Sequence, residues 1–299
     1  MITVLGSINM DLIATVSRLP KPGETVAGNH FVTAPGGKGA NQALAARRAG
    51  ADVAMAGACG EDEFAVPALT YLRYDGVSLD RVRSASTATG VALIFVGGDG
   101  ENVIAIVPGA NATVAVEDAK AAVAAMGRGD TLMLQMEIPP AAIEAALLAA
   151  REKGITTIVN IAPITPDARR LAQLATIVIA NETEFELFAG RSGLDDEARE
   201  AEMLRINQQH RQTIIVTLGA DGVVAAREGK IVRAKGLDIE PVDTVGAGDT
   251  FCGYFAAGLD HGLKFETALR RAAVAGSLAC MKPGAQPSIP FAREVEARL

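Results

Sequence analysis

Short apolar runs alternate with alanine-rich stretches of helical length along this chain, and few architectures satisfy that pattern. The runs are Ile2–Leu5, Val53–Gly57, Thr131–Gln135, Thr156–Asn160, Ile177–Ala180 and Ile214–Leu218. Between them lie Gly39–Ala49, Val116–Met126 and Pro140–Lys153. Strands with no polar alternation are buried on both faces, which predicts a mostly parallel central sheet covered by helices on either side. This is a three-layer α/β fold. Ligands of such sheets bind beyond the carboxyl ends of the strands. The 299 residues, 49% of them hydrophobic, are enough for a sizeable core. We expect one domain over 1–299, without repeats or long linkers.

Two regions break the alternation. Asp11–Pro35 and Thr89–Pro108 read as strands with no helix between them. The first holds the turn Leu19-Pro-Lys-Pro-Gly-Glu-Thr-Val26. The second holds Gly90–Val96, the turn Gly97-Gly-Asp-Gly100 and then Val103–Val107, a hairpin signature. A small antiparallel sheet inserted at about 11–35 and 89–108 predicts a lid over the ligand site. Its one-sided apolar face predicts pairing with a second copy, giving a homodimer. The charge cluster Asp195–Arg205 reads as the solvated face of a helix.

A formal net charge of -7 argues against a nucleic-acid partner. No apolar stretch approaches the ~20 residues of a membrane helix, and no basic leader precedes the first strand. Cys59, Cys252 and Cys280 are odd in number and widely spaced, which suits reduced thiols and a cytoplasmic location. For Cys252 a packing role competes with a redox or nucleophilic one. His30, His210 and His261 share no metal-ligand spacing, and HExxH, CxxC and GxSxG are absent.

The most specific motif is Asp243-Thr-Val-Gly-Ala-Gly-Asp-Thr-Phe251. Gly246, Ala247 and Gly248 feed a helix whose apolar face carries Phe251, Tyr254, Phe255 and Leu259. Unpaired N–H groups and the helix dipole make such a start an anion site. Asp249 sits beside it. A carboxylate next to an anion hole suits phosphoryl transfer to a hydroxyl, with the carboxylate taking the proton.

Four further groups carry a functional and a bland reading each. Gly36-Gly-Lys-Gly-Ala-Asn41 is either a flexible turn with a helix cap or a polyol-binding loop; it is not a Walker A loop, since no Ser or Thr follows Lys38. Asn9 and Asp11 share one side of a strand end, either as a strand-to-turn polar pair or as partners of sugar hydroxyls. Asn181-Glu-Thr-Glu184 either stabilises a helix dipole or offers a magnesium site. Thr217-Leu-Gly-Ala-Asp-Gly222 is either a two-strand turn or a nucleotide contact.

In order and over nearly the whole chain, these blocks resemble the ribokinase branch of the PfkB-type carbohydrate kinases. Gly6-Ser-Ile-Asn-Met-Asp11, Pro22-Gly-Glu-Thr-Val26 and Gly36-Gly-Lys-Gly-Ala-Asn-Gln42 look like the first family signature. Ser86–Phe95 and Gly100-Glu-Asn-Val103 look like the lid region, Asp243–Phe251 like the second signature, and Gly284-Ala-Gln-Pro-Ser288 like the C-terminal loop. The resemblance implies a ribokinase-like fold and ATP-dependent phosphorylation of the 5-hydroxyl of D-ribose. It implies that Asn9, Asp11, Gly37, Lys38, Asn41 and Glu137 bind the sugar, with Asp249 as base and Gly246, Ala247 and Gly248 as anion hole. It places ATP at Asn181, Thr217, Gly219, Ala220, Gly222 and Gly248, and magnesium, through water, at Glu184. It places potassium at Asp243, Val245, Ala279, Lys282, Gly284 and Ser288. Three positions depart from the family pattern: Cys252 where Asn is frequent, Ala273 where a polar side chain often meets adenine, and Pro35 before the double glycine. Another small sugar or a nucleoside as acceptor, and a sugar-binding regulator without catalysis, are the competing readings.

Overall fold

The computed structural model describes residues 1–99 and 101–299; Gly100, which closes the expected hairpin turn, lies outside them. The strands in chain order are β1 (Ile2–Leu5), β2 (Asn9–Val16), β3 (Gly28–Gly36), β4 (Val53–Gly60), β5 (Ser78–Ala85), β6 (Gly90–Val96), β7 (Asn102–Val107), β8 (Thr131–Leu134), β9 (Thr156–Asn160), β10 (Ile177–Asn181), β11 (Thr213–Thr217), β12 (Val223–Arg227) and β13 (Lys230–Ala234). The helices are α1 (Lys38–Arg48), α2 (Ala65–Ala68), α3 (Thr70–Tyr74), α4 (Val116–Ala124), α5 (Pro140–Lys153), α6 (Ala168–Ala172), α7 (Glu182–Ala189), α8 (Asp196–His210), α9 (Ala247–Asp260), α10 (Phe265–Ala279) and α11 (Ala292–Glu296).

Among the described residues, the large sheet runs β13-β12-β11-β10-β9-β8-β1-β4-β5. Along this order the neighbours from β11 to β5 pair in parallel, and β12 and β13 add an antiparallel edge. The expected three layers are present, because alternate residues of each central strand feed opposite cores. On β10, Ile177 and Ile179 join the core under α1, α9 and α10, while Val178 joins the one under α4 to α8. Two strands escaped the sequence reading. β5 reads Ser-Leu-Asp-Arg-Val-Arg-Ser-Ala and β13 reads Lys-Ile-Val-Arg-Ala. Both are edges, where charge is tolerated and blocks further pairing.

The second sheet is β3-β2-β6-β7. It corrects the expectation of an antiparallel lid: β3–β2 and β6–β7 are antiparallel hairpins, but the central pair β2–β6 is parallel. The reason is topological. β2 follows β1 and β6 follows β5, two strands of one parallel array, so both leave its carboxyl edge in the same direction.

The charge cluster also needs a correction. Asp195 caps α8 by accepting from the Ala198 N–H at 2.9 Å, but Arg199 and Glu202 are buried rather than solvated. Arg199 bridges to Glu182 on α7, and Glu202 binds Arg205. Among the described residues, no helix is long and apolar enough to cross a membrane.

Candidate active site

α1 and α9 define the site, and a glycine sets their distance. A Cβ built on Gly253 would lie 2.5 Å from Ala45 Cβ and 2.6 Å from the Gln42 carbonyl. Only a bare backbone permits this approach. It brings Asp249, one turn earlier on α9, against the first turn of α1. Asp249 Oδ2 accepts from Asn41 Nδ2 and Oδ1 from Gln42 Nε2, each at 2.9 Å.

The Gly246–Asp249 run, expected to bind an anion, forms the start of α9. Gly246 is its N-cap in the left-handed conformation, φ 76°. Among the described residues, the N–H groups of Gly246, Gly248 and Asp249 donate to no protein acceptor. The Ala247 N–H is different, since it donates to the Thr244 carbonyl at 3.3 Å. A Cβ on Gly248 would meet nothing within 4 Å, so this turn faces open space.

The structure gathers the sugar candidates around Asp249. β2 carries Asn9 and Asp11 out of the large sheet. The Asp11 carboxylate lies where a Gly36 Cβ would sit, and the left-handed Gly37, φ 89°, presses on the Asn9 and Ser7 backbone. Glu137 follows β8; its Oε2 accepts from Ser7 Oγ at 2.5 Å and from the Lys38 N–H at 3.1 Å. Asn9 Oδ1 accepts from Asn111 Nδ2 at 2.7 Å. Among the described residues, Asn41 Oδ1 is buried without a partner.

Charge is concentrated here. Burial, then the nearby Glu137 and Asp249 carboxylates, push the Asp11 carboxyl up to about 7, with Lys38 pulling the other way. Burial alone would lower the Lys38 pKa; the fields of Asp249, Glu137 and Glu184 reverse that and keep its ammonium charged. Burial drives the Cys252 thiol well above its ordinary value, and the Asp249 charge adds to that, which leaves an inert packing residue.

A cavity of about 530 Å³ adjoins the α9 start. Its walls include Thr217, Gly219, Ala220, Gly222, Ala247, Gly248, Phe251 and Ala273. The Thr217–Gly222 turn is also the expected two-strand connection, since β11 and β12 pair antiparallel. Asn181 stands in register with Thr217 on the neighbouring strand but is not part of the wall. It forms a reciprocal cap with Glu184: Asn181 Oδ1 accepts from the Glu184 N–H at 2.8 Å and Glu184 Oε2 from the Asn181 N–H at 2.9 Å. A larger cleft, about 680 Å³, lies at the opposite end of the strands, beside Thr131, Thr156 and Thr213, and holds none of the motif residues.

The C-terminal loop packs on the α9 start. Asp243 Oδ1 accepts from the Val245 N–H at 2.9 Å and Oδ2 from the Gly284 N–H at 2.8 Å. A Cβ on Gly246 would lie 2.9 Å from Ala285 Cα. Among the described residues, the carbonyls of Val245, Lys282 and Gly284 accept no protein hydrogen bond, whereas that of Ala279 accepts from the Lys282 N–H. Ser288 is buried, its hydroxyl donating to the Ala285 carbonyl.

Several residues that shape this region were assigned no role from the sequence. Ser7 and Asn111 orient Glu137 and Asn9, and Gln42, Gln135 and Asn160 lie behind Asp249. Gln135 and Asn160 each close an apolar strand run with an amide, and that was the available clue.

The description "pfkB family carbohydrate kinase" matches residues 1–292. The Bacillus subtilis ribokinase is 37% identical, with 100% of this chain and 99% of that protein covered. The Haemophilus influenzae ribokinase is 35% identical, with 98% and 96% covered. The structure of Arabidopsis thaliana ribokinase complexed with ribose and ATP superposes with a TM-score of 0.89 at 31% identity, covering 99% of this chain and 97% of that one. The chain belongs to the pfkB family of carbohydrate kinases, groups within it among the ribokinases, and is a sugar kinase.

Proposed function

We infer that the chain transfers the terminal phosphoryl group of ATP to the 5-hydroxyl of D-ribose, giving D-ribose 5-phosphate and ADP. The observation that carries this reading is the position of Asp249. It is bonded to Asn41 within the polar cluster, and it directly follows Gly248 in the wall of the cavity. A hydroxyl held by the cluster and a phosphate at the α9 start would meet at this carboxylate.

In this reading Asn9, Asp11, Gly37, Lys38, Asn41 and Glu137 hold the sugar, whose hydroxyls satisfy the orphan Asn41 Oδ1. Asp249 takes the hydroxyl proton as the oxygen attacks phosphorus. The open N–H groups of Gly246 and Gly248 stabilise the charge that builds on the transferring group. Thr217, Gly219, Ala220 and Gly222 line the nucleotide site, with Asn181 at its edge. The lid of β2, β3, β6 and β7 excludes water and limits ATP hydrolysis.

The residues fit magnesium bound through water: Glu184 Oε1 is not used in the cap, and this ion takes one or two carboxylates plus phosphates. When bound, magnesium neutralises phosphate charge. The chemistry of the donors also fits potassium, which Asp243, Val245, Ala279, Lys282, Gly284 and Ser288 would hold: among the described residues the carbonyls of Val245, Lys282 and Gly284 accept no protein hydrogen bond. Release of ADP across pentoses, hexoses and nucleosides, with and without potassium, tests the reading. Ribose should lead the panel; ADP release with no sugar in it would overturn the proposal.

The Asp11 shift gives a pH dependence. Sugar hydroxyls donate to the ionised carboxylate and so favour it. Ribose should therefore bind about tenfold more weakly at pH 6 than at pH 8, and binding at pH 6 should release a proton. Titration calorimetry in buffers of different ionisation enthalpy measures both; equal affinities would refute it. Without ribose, the folded chain keeps a proton that the unfolded chain loses near 3.8, so this group's contribution to stability falls as pH rises from about 4 to 7.

A second copy of the chain is the expected cover for the lid. Phe31, Leu93, Phe95 and Val103 are exposed together on the face of its strands turned away from Asp11. Phe95→Lys should convert a dimer to a monomer in sedimentation velocity, and an unchanged dimer would exclude this face. Free thiols and an ATP requirement suit a cytoplasmic location.

A further inference from the structure

Behind Asp249 lies a chain of buried amides that meets the site at this carboxylate and lines no part of the cavity. Gln42 Nε2 donates to Asp249 Oδ1 at 2.9 Å and to Asn160 Oδ1 at 3.2 Å. Gln135 Nε2 donates to Gln42 Oε1 at 2.7 Å, and Asn160 Nδ2 to the Ile179 carbonyl at 3.2 Å. Gln42 and Gln135 are fully buried. These groups come from α1, the segment after β8 and the end of β9, so three elements converge on one carboxylate.

The direction of the chain is fixed by chemistry. A carboxylate oxygen only accepts, so Gln42 must turn Nε2 to Asp249. Its Oε1 then faces Gln135, which must donate. A flipped Gln42 would set oxygen against Asp249 Oδ1 and Asn160 Oδ1 and nitrogen against Gln135 Nε2. Buried amides are costly unless paired, and here every polar atom of Gln42 is paired in one orientation only. A core position needing only volume would be filled as well by Leu or Met.

We propose that Gln42, oriented by Gln135 and Asn160, is a positioning residue for phosphoryl transfer: it ties Asp249 Oδ1 into the core and leaves Oδ2, beside Asn41, to receive the hydroxyl proton. The inference rests on the reading of Asp249 as the base. In the step itself the sugar oxygen bonds to the terminal phosphorus and the bond to ADP breaks with its electron pair on the ADP oxygen. The hydroxyl proton passes to Asp249 Oδ2. Rotation of the carboxylate by a few tens of degrees would misdirect that oxygen, and misplacements of this order are worth about 10²-fold in rate.

The test measures kcat, the ribose dissociation constant and thermal stability for Gln42→Leu, Gln42→Glu, Gln135→Met and Asp249→Asn. Gln42→Leu should lower kcat about 10- to 100-fold and leave the ribose dissociation constant within about threefold. Gln135→Met, which leaves Asp249 its partner but frees that partner to turn, should lower kcat by roughly 3- to 10-fold in the same pattern. The Gln42→Glu variant separates positioning from packing. Its new carboxyl can donate to Asp249 only when protonated, so its kcat relative to that of the parent should rise as pH falls below neutrality. Should Gln42→Leu not fold, the other two substitutions at the amide chain decide. A kcat within twofold of the parent, equal losses in kcat and ribose affinity, or a parental pH profile in Gln42→Glu overturns the inference. Full turnover in Asp249→Asn overturns the base assignment instead, so the two failures are distinguishable.

Discussion

Replacing Asp249 with Asn should lower kcat by about 10³- to 10⁴-fold while ribose still binds within a few-fold of its parental affinity. The carboxylate accepts one hydrogen bond on each oxygen, from Asn41 and from Gln42. An Asn side chain accepts on one atom only, so one of the two donors loses its partner. The structural penalty is that of one buried hydrogen bond, about 1–3 kcal/mol, and a modest fall in melting temperature should report it. The loss of turnover has a separate cause: an amide cannot take the hydroxyl proton. Ribose titration by calorimetry and ADP release by a coupled assay measure the two effects independently. Parental turnover in this variant would remove Asp249 from the role of base.

The second large effect is expected at Gly246. Gly246→Val places a β-branched side chain at φ 76°, a conformation that costs an L-residue about 1–2 kcal/mol. Its Cβ would stand 2.9 Å from Ala285 Cα, so the helix start and the C-terminal loop must separate. The N–H groups of Gly246 and Gly248 then lose their common aim. Removal of one such donor is worth about 10²- to 10³-fold in kcat, and we expect at least that loss. Gly248→Ala is the matched control, because its Cβ meets no atom within 4 Å of the free protein. The control should melt with the parent. A Gly246→Val variant with parental kcat would show that this turn does not stabilise transferring charge.

Particular residues show what could be read in advance. The apolar runs fixed the parallel sheet, because a strand buried on both faces cannot alternate. β5 and β13 were missed for the converse reason: edge strands alternate and carry charge. The parallel β2–β6 pair was illegible, since pairing direction depends on which edge of another sheet each strand leaves. Asn181 and Glu184 could be read only as two possibilities, and the structure realises the reciprocal cap while leaving Glu184 Oε1 free.

The Gly246–Asp249 run, the Gly36–Asn41 loop and the Asn9/Asp11 pair were legible because each is local chemistry: bare backbone, a helix start, a carboxylate or amide at a strand end. Their encounter was not. Asp249 and Asn41 are 208 residues apart and meet because Gly253 lets two helices touch. The Asp11 shift likewise needs Glu137 and Asp249 as neighbours, and burial that no linear pattern encodes. Sequence alone determined the layers, the glycine turn that opens a helix and the types of group available. Tertiary packing decided which of those groups share a dry, charged space, because burial and distance set the energy of polar groups and both arise only when remote segments close around them.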